Sequence, residues 1–139
     1  MRNDIAVSWG DQSWGLATDE GPFHGGDDTA PPPLALFAAG FTGCLMTEIR
    51  AFSKRLDVPI DGLTVSARLH WAGRQEGRGP YVTRPVGFSL DVDMGDAASD
   101  DDKVRLFEAA KKGCFLEQTF AVPNAIGHRL KTSAGWVDC

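Results

Sequence analysis

The chemistry of this chain starts with its cysteines, Cys44, Cys114 and Cys139. Three is an odd number, with no CxxC pair and no regular spacing, which argues against a secreted disulfide framework. In a reducing compartment the cysteines that matter are reactive ones. Cys44 falls on the apolar face of a helical pattern and Cys114 at the end of a later one. Two packed helices would turn both thiols toward one seam. A free cysteine also serves as a small buried hydrophobe, and on the residues alone both readings stay open. Cys139 stands last in the sequence and is expected to fray without a role.

Other chemistries are poorly represented. There is no phosphate loop, dinucleotide fingerprint or GxSxG elbow, and His24, His70 and His128 are not at metal-ligand spacing, so neither a metal nor a cofactor is expected. Each histidine reads as a strand or surface residue, with His24 beside Gly25 and Gly26 the one to watch.

The elements that must position the thiols are written in the hydrophobic periods. Ile5, Val7 and Trp9 alternate, Gly10 and Asp11 turn the chain, and Trp14 and Leu16 alternate again, which predicts a hairpin. The stretch GPFHGGDDTAPPP, residues 21–33, consists of breakers leading into a helix start. Leu34, Phe37, Phe41, Cys44, Leu45, Ile49, Phe52 and Leu56 then recur at steps of three and four, predicting a long helix. Gly40 and Gly43 each cost it about 1 kcal/mol relative to Ala, so a second buried helix is expected close against its backbone there.

Two strands follow, carried by Leu63, Val65, Ala67, Leu69 and Trp71, and by Val86, Phe88, Leu90, Val92 and Met94, with AGRQEGRGP as an exposed loop between them. Ser99 and the aspartates 100–102 predict a capped helix with Val104, Phe107 and Ala110 on its apolar stripe. Gly113 interrupts it, and Phe115, Leu116 and Phe120 predict a short helical piece ending near Pro123. The segment 126–137 reads as a closing strand.

The chain has 139 residues, 42% of them hydrophobic and 24% charged, which suits one globular domain spanning 1–139 and not a disordered chain. A net charge of −5 without a basic cluster makes nucleic acid an unexpected partner. The N-terminus lacks the apolar core of a secretion signal, and the most apolar run, Leu34 to Phe41, is too short for a bilayer. A cytoplasmic location with no membrane partner is therefore expected.

The segment GGDDTAPPPLALFAAGFTGC, ending at Cys44, resembles the OsmC/Ohr family, which has a similar Gly-rich loop, a proline, then a helix reading close to LFAAGYAAC. KKGCFLEQ around Cys114 is similar to the family's second cysteine motif, and the order of elements fits nearly the whole chain. The resemblance implies an α+β, OsmC-like fold, an antiparallel sheet wrapped around central helices in an intertwined homodimer. It also implies thiol-dependent reduction of organic hydroperoxides in oxidative-stress defence. Cys44 would become a sulfenic acid, Cys114 would resolve it as a disulfide, and a dithiol or lipoyl-type reductant would reopen it.

In the family an arginine from the N-terminal strands, held by a glutamate after the helix-opening proline, activates the thiol. Here Leu34 follows Pro33, and residues 3–29 hold no arginine or lysine. Glu48, one turn from Cys44, Arg50, six residues on, and Glu117, one turn past Cys114, are the candidates for organising charge, with a solvated or interhelical pair as the other reading. Phe37 and Phe41 flank Cys44 and would line an apolar substrate slot or pack the core. The alternative function is an OsmC-fold protein with lost or altered peroxidase activity that binds an apolar small molecule.

Overall fold

A computed structural model describes all 139 residues. In chain order it contains β1 (Arg2–Trp9), β2 (Gln12–Asp19), a 3-10 turn (Pro22–His24), α1 (Pro33–Leu56), β3 (Thr64–Arg74), β4 (Val82–Asp93), α2 (Asp100–Gly113), α3 (Phe115–Phe120), β5 (Arg129–Thr132) and β6 (Gly135–Asp138). The mixed α+β class read from the sequence is the one observed. The strands form three separate two-stranded antiparallel sheets, β1–β2, β3–β4 and β5–β6.

The breakers before α1 act as expected. Pro32 caps the helix in an extended conformation and Pro33 supplies its first turn, where a missing N–H costs nothing. At the far end Asp57 takes a left-handed conformation, φ 53°, and its N–H closes the helix onto the Ser53 carbonyl. One stripe of α1, Phe41, Leu45 and Ile49, is buried. The helix reaches a mean hydropathy of 1.3 over 18 residues, so by length and composition it could cross a membrane, more than the run 34–41 alone suggests. Leu45 and Ile49, fully buried against other elements, use that hydropathy in the core of this chain.

Helix α2 opens where the aspartates place it. Ser99 Oγ accepts the Asp102 N–H at 3.2 Å, and the three aspartates sit in the first turn, where the helix dipole favours negative charge. Its buried face, Leu106 and Ala110, meets α1, and together with Val58, Met94 and Cys114 they form the core. Strands β3 and β4 lay their alternate, partly buried residues toward α1, with a bulge at His70/Trp71. They run further into the expected loop than the glycines suggest, so Ala72 to Arg74 pair instead of turning.

Two expectations change. The segment 126–137 is not one strand but the hairpin β5–β6, because the chain reverses between Thr132 and Gly135, the latter at φ 121°. No atom lies within 4 Å of where a Cβ on Gly40 or Gly43 would stand, so the close neighbour inferred for these glycines is not another part of this chain. Only 11 residues are buried, while Trp9, Trp14, Phe115, Ile126 and Trp136 are exposed.

Candidate active site

Gly113 ends α2 against α1. A Cβ on it would sit 2.6 Å from Phe52 Cζ and 3.4 Å from Glu48 Oε2, so a side chain here would have to push the Phe52 ring aside. Cys114 follows at once, as the C-cap of α2 and the N-cap of α3, its N–H donating to the Ala110 carbonyl at 2.8 Å. The close approach delivers its side chain to α1. The Cys114 Sγ lies 3.3 Å from the Cys44 Sγ, across 70 residues of sequence.

The two sulfurs have different surroundings. Cys114 is fully buried, whereas Cys44 is only partly covered. Burial pushes the Cys114 thiol up from its ordinary pKa, and its hydrogen bond to Cys44 adds to this. The amides of Glu117 and Leu116 point the other way without closing a cap bond on the sulfur. Cys44 has one side-chain hydrogen bond, the one with Cys114.

On the turns of α1 that precede Cys44, Phe37 and Phe41 join a cluster of five rings. Phe37 lies 5.6 Å from Phe120, 6.0 Å from Phe88 and 6.1 Å from Trp71 between ring centroids, and Phe41 lies 5.2 Å from Phe120. Trp71 and Phe88 close the set at 5.0 Å. Several of these pairs meet edge to face, the arrangement aromatic quadrupoles favour. The rings come from α1, β3, β4 and the end of α3, so four elements build this apolar wall on the turns of α1 that precede Cys44. The sequence pointed to Phe37 and Phe41 only. The alternation of β3 and β4 already put Trp71 and Phe88 on inward positions, while nothing local marks Phe120.

The charged candidates divide. Glu48 is half-buried with its carboxylate beside Gly113, and Glu117 is half-buried on α3. Arg50 is exposed and makes no side-chain hydrogen bond or ion pair with either thiol. Arg68, Arg105 and Arg74 are engaged with Asp91, Asp102 and Glu76. His24 stacks edge-on against Phe23 at 4.8 Å and faces Tyr81 at 6.1 Å. No group of three or more His, Cys, Asp or Glu residues is gathered to hold a metal.

A buried carboxylate that sequence reading missed lies away from the thiols. Asp19, 1% exposed, receives the N–H of Thr29 at 3.0 Å and its hydroxyl at 2.8 Å on Oδ2, while Oδ1 faces the Met1 ammonium at 2.8 Å. That network pins the end of β2 to the Gly-rich loop leading into α1. The ammonium and the Thr29 and Asp27 donors hold its carboxyl well below the usual range, against burial.

A model of the family described as OsmC-like protein matches residues 25–128. No curated protein matches the chain. Among solved structures, an OsmC-like hydroperoxide resistance protein from Jannaschia sp. CCS1 is 44% identical with a TM-score of 0.74, over 99% of this chain and 89% of that one. The organic hydroperoxide resistance protein OsmC from Legionella pneumophila shares the fold at 16% identity and a TM-score of 0.59, over 85% of this chain and 88% of that one. The organic hydroperoxide resistance protein OhrB of Bacillus subtilis does so at 19% and 0.53, over 86% and 89%. With the family matched from Gly25 through all three helices and both internal cysteines, the chain belongs to the OsmC-like family.

Proposed function

We propose that the protein is a thiol-dependent peroxidase that reduces organic hydroperoxides. The observation that carries this reading is the 3.3 Å separation of the Cys44 and Cys114 sulfurs, one partly exposed and the other buried in the core. The Cys44 thiolate attacks the terminal oxygen of ROOH, which keeps its proton, the O–O bond breaks, and the alkoxide takes a proton from solvent and leaves as ROH. Cys44 is now a sulfenic acid. The Cys114 sulfur attacks the Cys44 sulfur, the S–O bond breaks, and the hydroxide departs with the thiol proton as water. The disulfide needs an approach of roughly 1.3 Å from the observed distance to reach about 2.05 Å. An external dithiol or lipoyl-type reductant then restores both thiols by exchange. The 44% identity to the Jannaschia OsmC-like hydroperoxide resistance protein supports the same reading.

The working unit in this proposal is a homodimer. Three hairpins with unpaired edges, exposed Trp9, Trp14 and Trp136, and open backbone at Gly40 and Gly43 leave a surface that suits a second copy. The setting is a reducing cytoplasm, where both thiols start reduced.

Incubation with tert-butyl hydroperoxide and a dithiol tests the reading. Peroxide consumption that Cys44→Ser abolishes, with mass spectrometry showing a Cys44–Cys114 disulfide in the wild type, is the expected result. A second reading, an apolar-ligand binder of the same fold, is favoured by the five-ring wall beside a thiol without a charged partner in its own chain. Thiols that stay reduced in peroxide, on a protein that purifies with an apolar ligand, would replace the first reading with this one.

A further inference from the structure

The reduced site has no arginine or lysine bonded to Cys44, yet it is not without a donor. We propose that the Cys114 S–H acts before it resolves anything: it donates a hydrogen bond to the Cys44 thiolate and serves there in place of a cation. The proposal rests on Cys44 being the nucleophile of the reading above.

The direction of the bond follows from placement. Cys114 is fully buried and caps the C-terminal end of α2, where unsatisfied carbonyls put the negative end of the helix dipole. A thiolate there would be desolvated and would face those carbonyls, and the Glu117 and Leu116 amides at the start of α3 offset this only in part. Cys44 is partly exposed, so its ionised form keeps some water, and the charge settles on it while the proton stays on Cys114. The 3.3 Å sulfur–sulfur distance is within hydrogen-bond reach for this pair. A donor to an ionised acceptor is stronger than one between neutral groups.

The charged groups near the pair do not supply an alternative. Glu48 on α1 and Glu117 on α3 are carboxylates, which oppose a thiolate. On α2, Lys111 pairs with Glu108 and lies over the Phe107 ring. On β3, Arg68 and His70 occupy exposed positions of the outward face. One proton therefore has two successive uses. It first holds the Cys44 charge in place, and after oxygen transfer it leaves with the hydroxide as water when Cys114 attacks.

The test is the pH dependence of Cys44 alkylation by iodoacetamide in the absence of peroxide, followed at the Cys44 peptide by mass spectrometry in a Cys139→Ser background. In Cys114→Ala the rate at neutral pH falls about fivefold and the profile moves to higher pH; in Cys114→Ser, which keeps a hydroxyl donor, the rate lies between those of Ala and Cys. A Cys114→Ala profile that overlays the parent overturns the proposal, as do equal losses in Ala and Ser, which mean lost packing. Should the variants not fold, the infrared S–H bands of the Cys139→Ser protein decide. As pH rises through the Cys44 titration, one band is lost and the other shifts to lower frequency; two bands lost together overturn the proposal. Because no peroxide is used, a protein inert to peroxide with an intact Cys114 effect would sink the peroxidase reading and leave this one standing.

Discussion

Gly113 and Phe52 stand so close that a single methyl group on the glycine would overlap the phenyl ring, its Cβ only 2.6 Å from Cζ. The contact lies where the end of α2 meets α1, one residue before Cys114 and its 3.3 Å approach to the Cys44 sulfur. Gly113→Ala is expected to lower stability by about 1–3 kcal/mol in urea unfolding, because overpacking moves whole elements apart. Peroxide-driven formation of the Cys44–Cys114 disulfide should slow with it. A variant that unfolds earlier but forms the bond at the parent rate would show that the helix crossing does not govern the thiols.

The five-ring wall predicts substrate preference. Phe120 is 43% exposed, so Phe120→Ala should cost less stability than truncating a buried ring, while removing the contacts with Phe37, Phe41 and Phe88. With cumene hydroperoxide, kcat/KM is expected to fall roughly tenfold through KM, as expected when about 1.4 kcal/mol of uniform binding is lost. With hydrogen peroxide it should hardly change. Equal losses for both peroxides would remove the wall from the binding site.

Gly43 separates packing within the chain from packing between copies. A Cβ at Gly43 meets nothing within 4 Å in the single chain, and Gly43→Leu replaces a poor helix former, so an isolated chain would gain helix propensity of roughly 1 kcal/mol or less. In the proposed dimer the same leucine falls on a face that must close against a partner. Sedimentation equilibrium is expected to find dimers of the parent and monomers or aggregates of Gly43→Leu. A parent that sediments as a stable monomer removes the dimer.

Acid should release the Asp19 network. The ammonium of Met1 and the donors of Thr29 and Asp27 depress the folded-state pKa below that of the unfolded chain. Below about pH 4 the unfolded state therefore binds a proton that the folded state refuses, and the contribution of this carboxylate is lost as pH falls toward the folded value. Above about pH 4 it is fully present. Thermal unfolding between pH 3 and 7 should show a steeper acid limb for the parent than for Asp19→Asn. Parallel limbs would mean that this carboxylate carries no acid sensitivity.

Local periods were enough to read most elements. The three-and-four spacing from Leu34 to Leu56 and the alternation in β3 and β4 are imposed by burial on one face, so they survive in a bare sequence. The β5–β6 hairpin escaped because its turn depends on the left-handed φ of Gly135, and the preceding residues Ser133 and Ala134 carry no strong turn signal. Cys44 and Cys114 could be picked out by type and by their helical faces, but their separation is a property of how two helices cross, which no local pattern encodes. Phe120 joins the ring cluster for the same reason. Asp19 looked like an ordinary strand end because its partners lie in an irregular loop and at Met1.

The hairpins have a kinetic consequence. Each of the three sheets presents two outer strands whose amides and carbonyls have no neighbouring strand in the same chain. If a second copy supplies those neighbours, a newly made chain cannot complete its own bonding, and folding becomes a bimolecular event. Recovery from denaturant would then speed up with protein concentration, and a dilute chain would wait, with sticky borders exposed, until it met its twin.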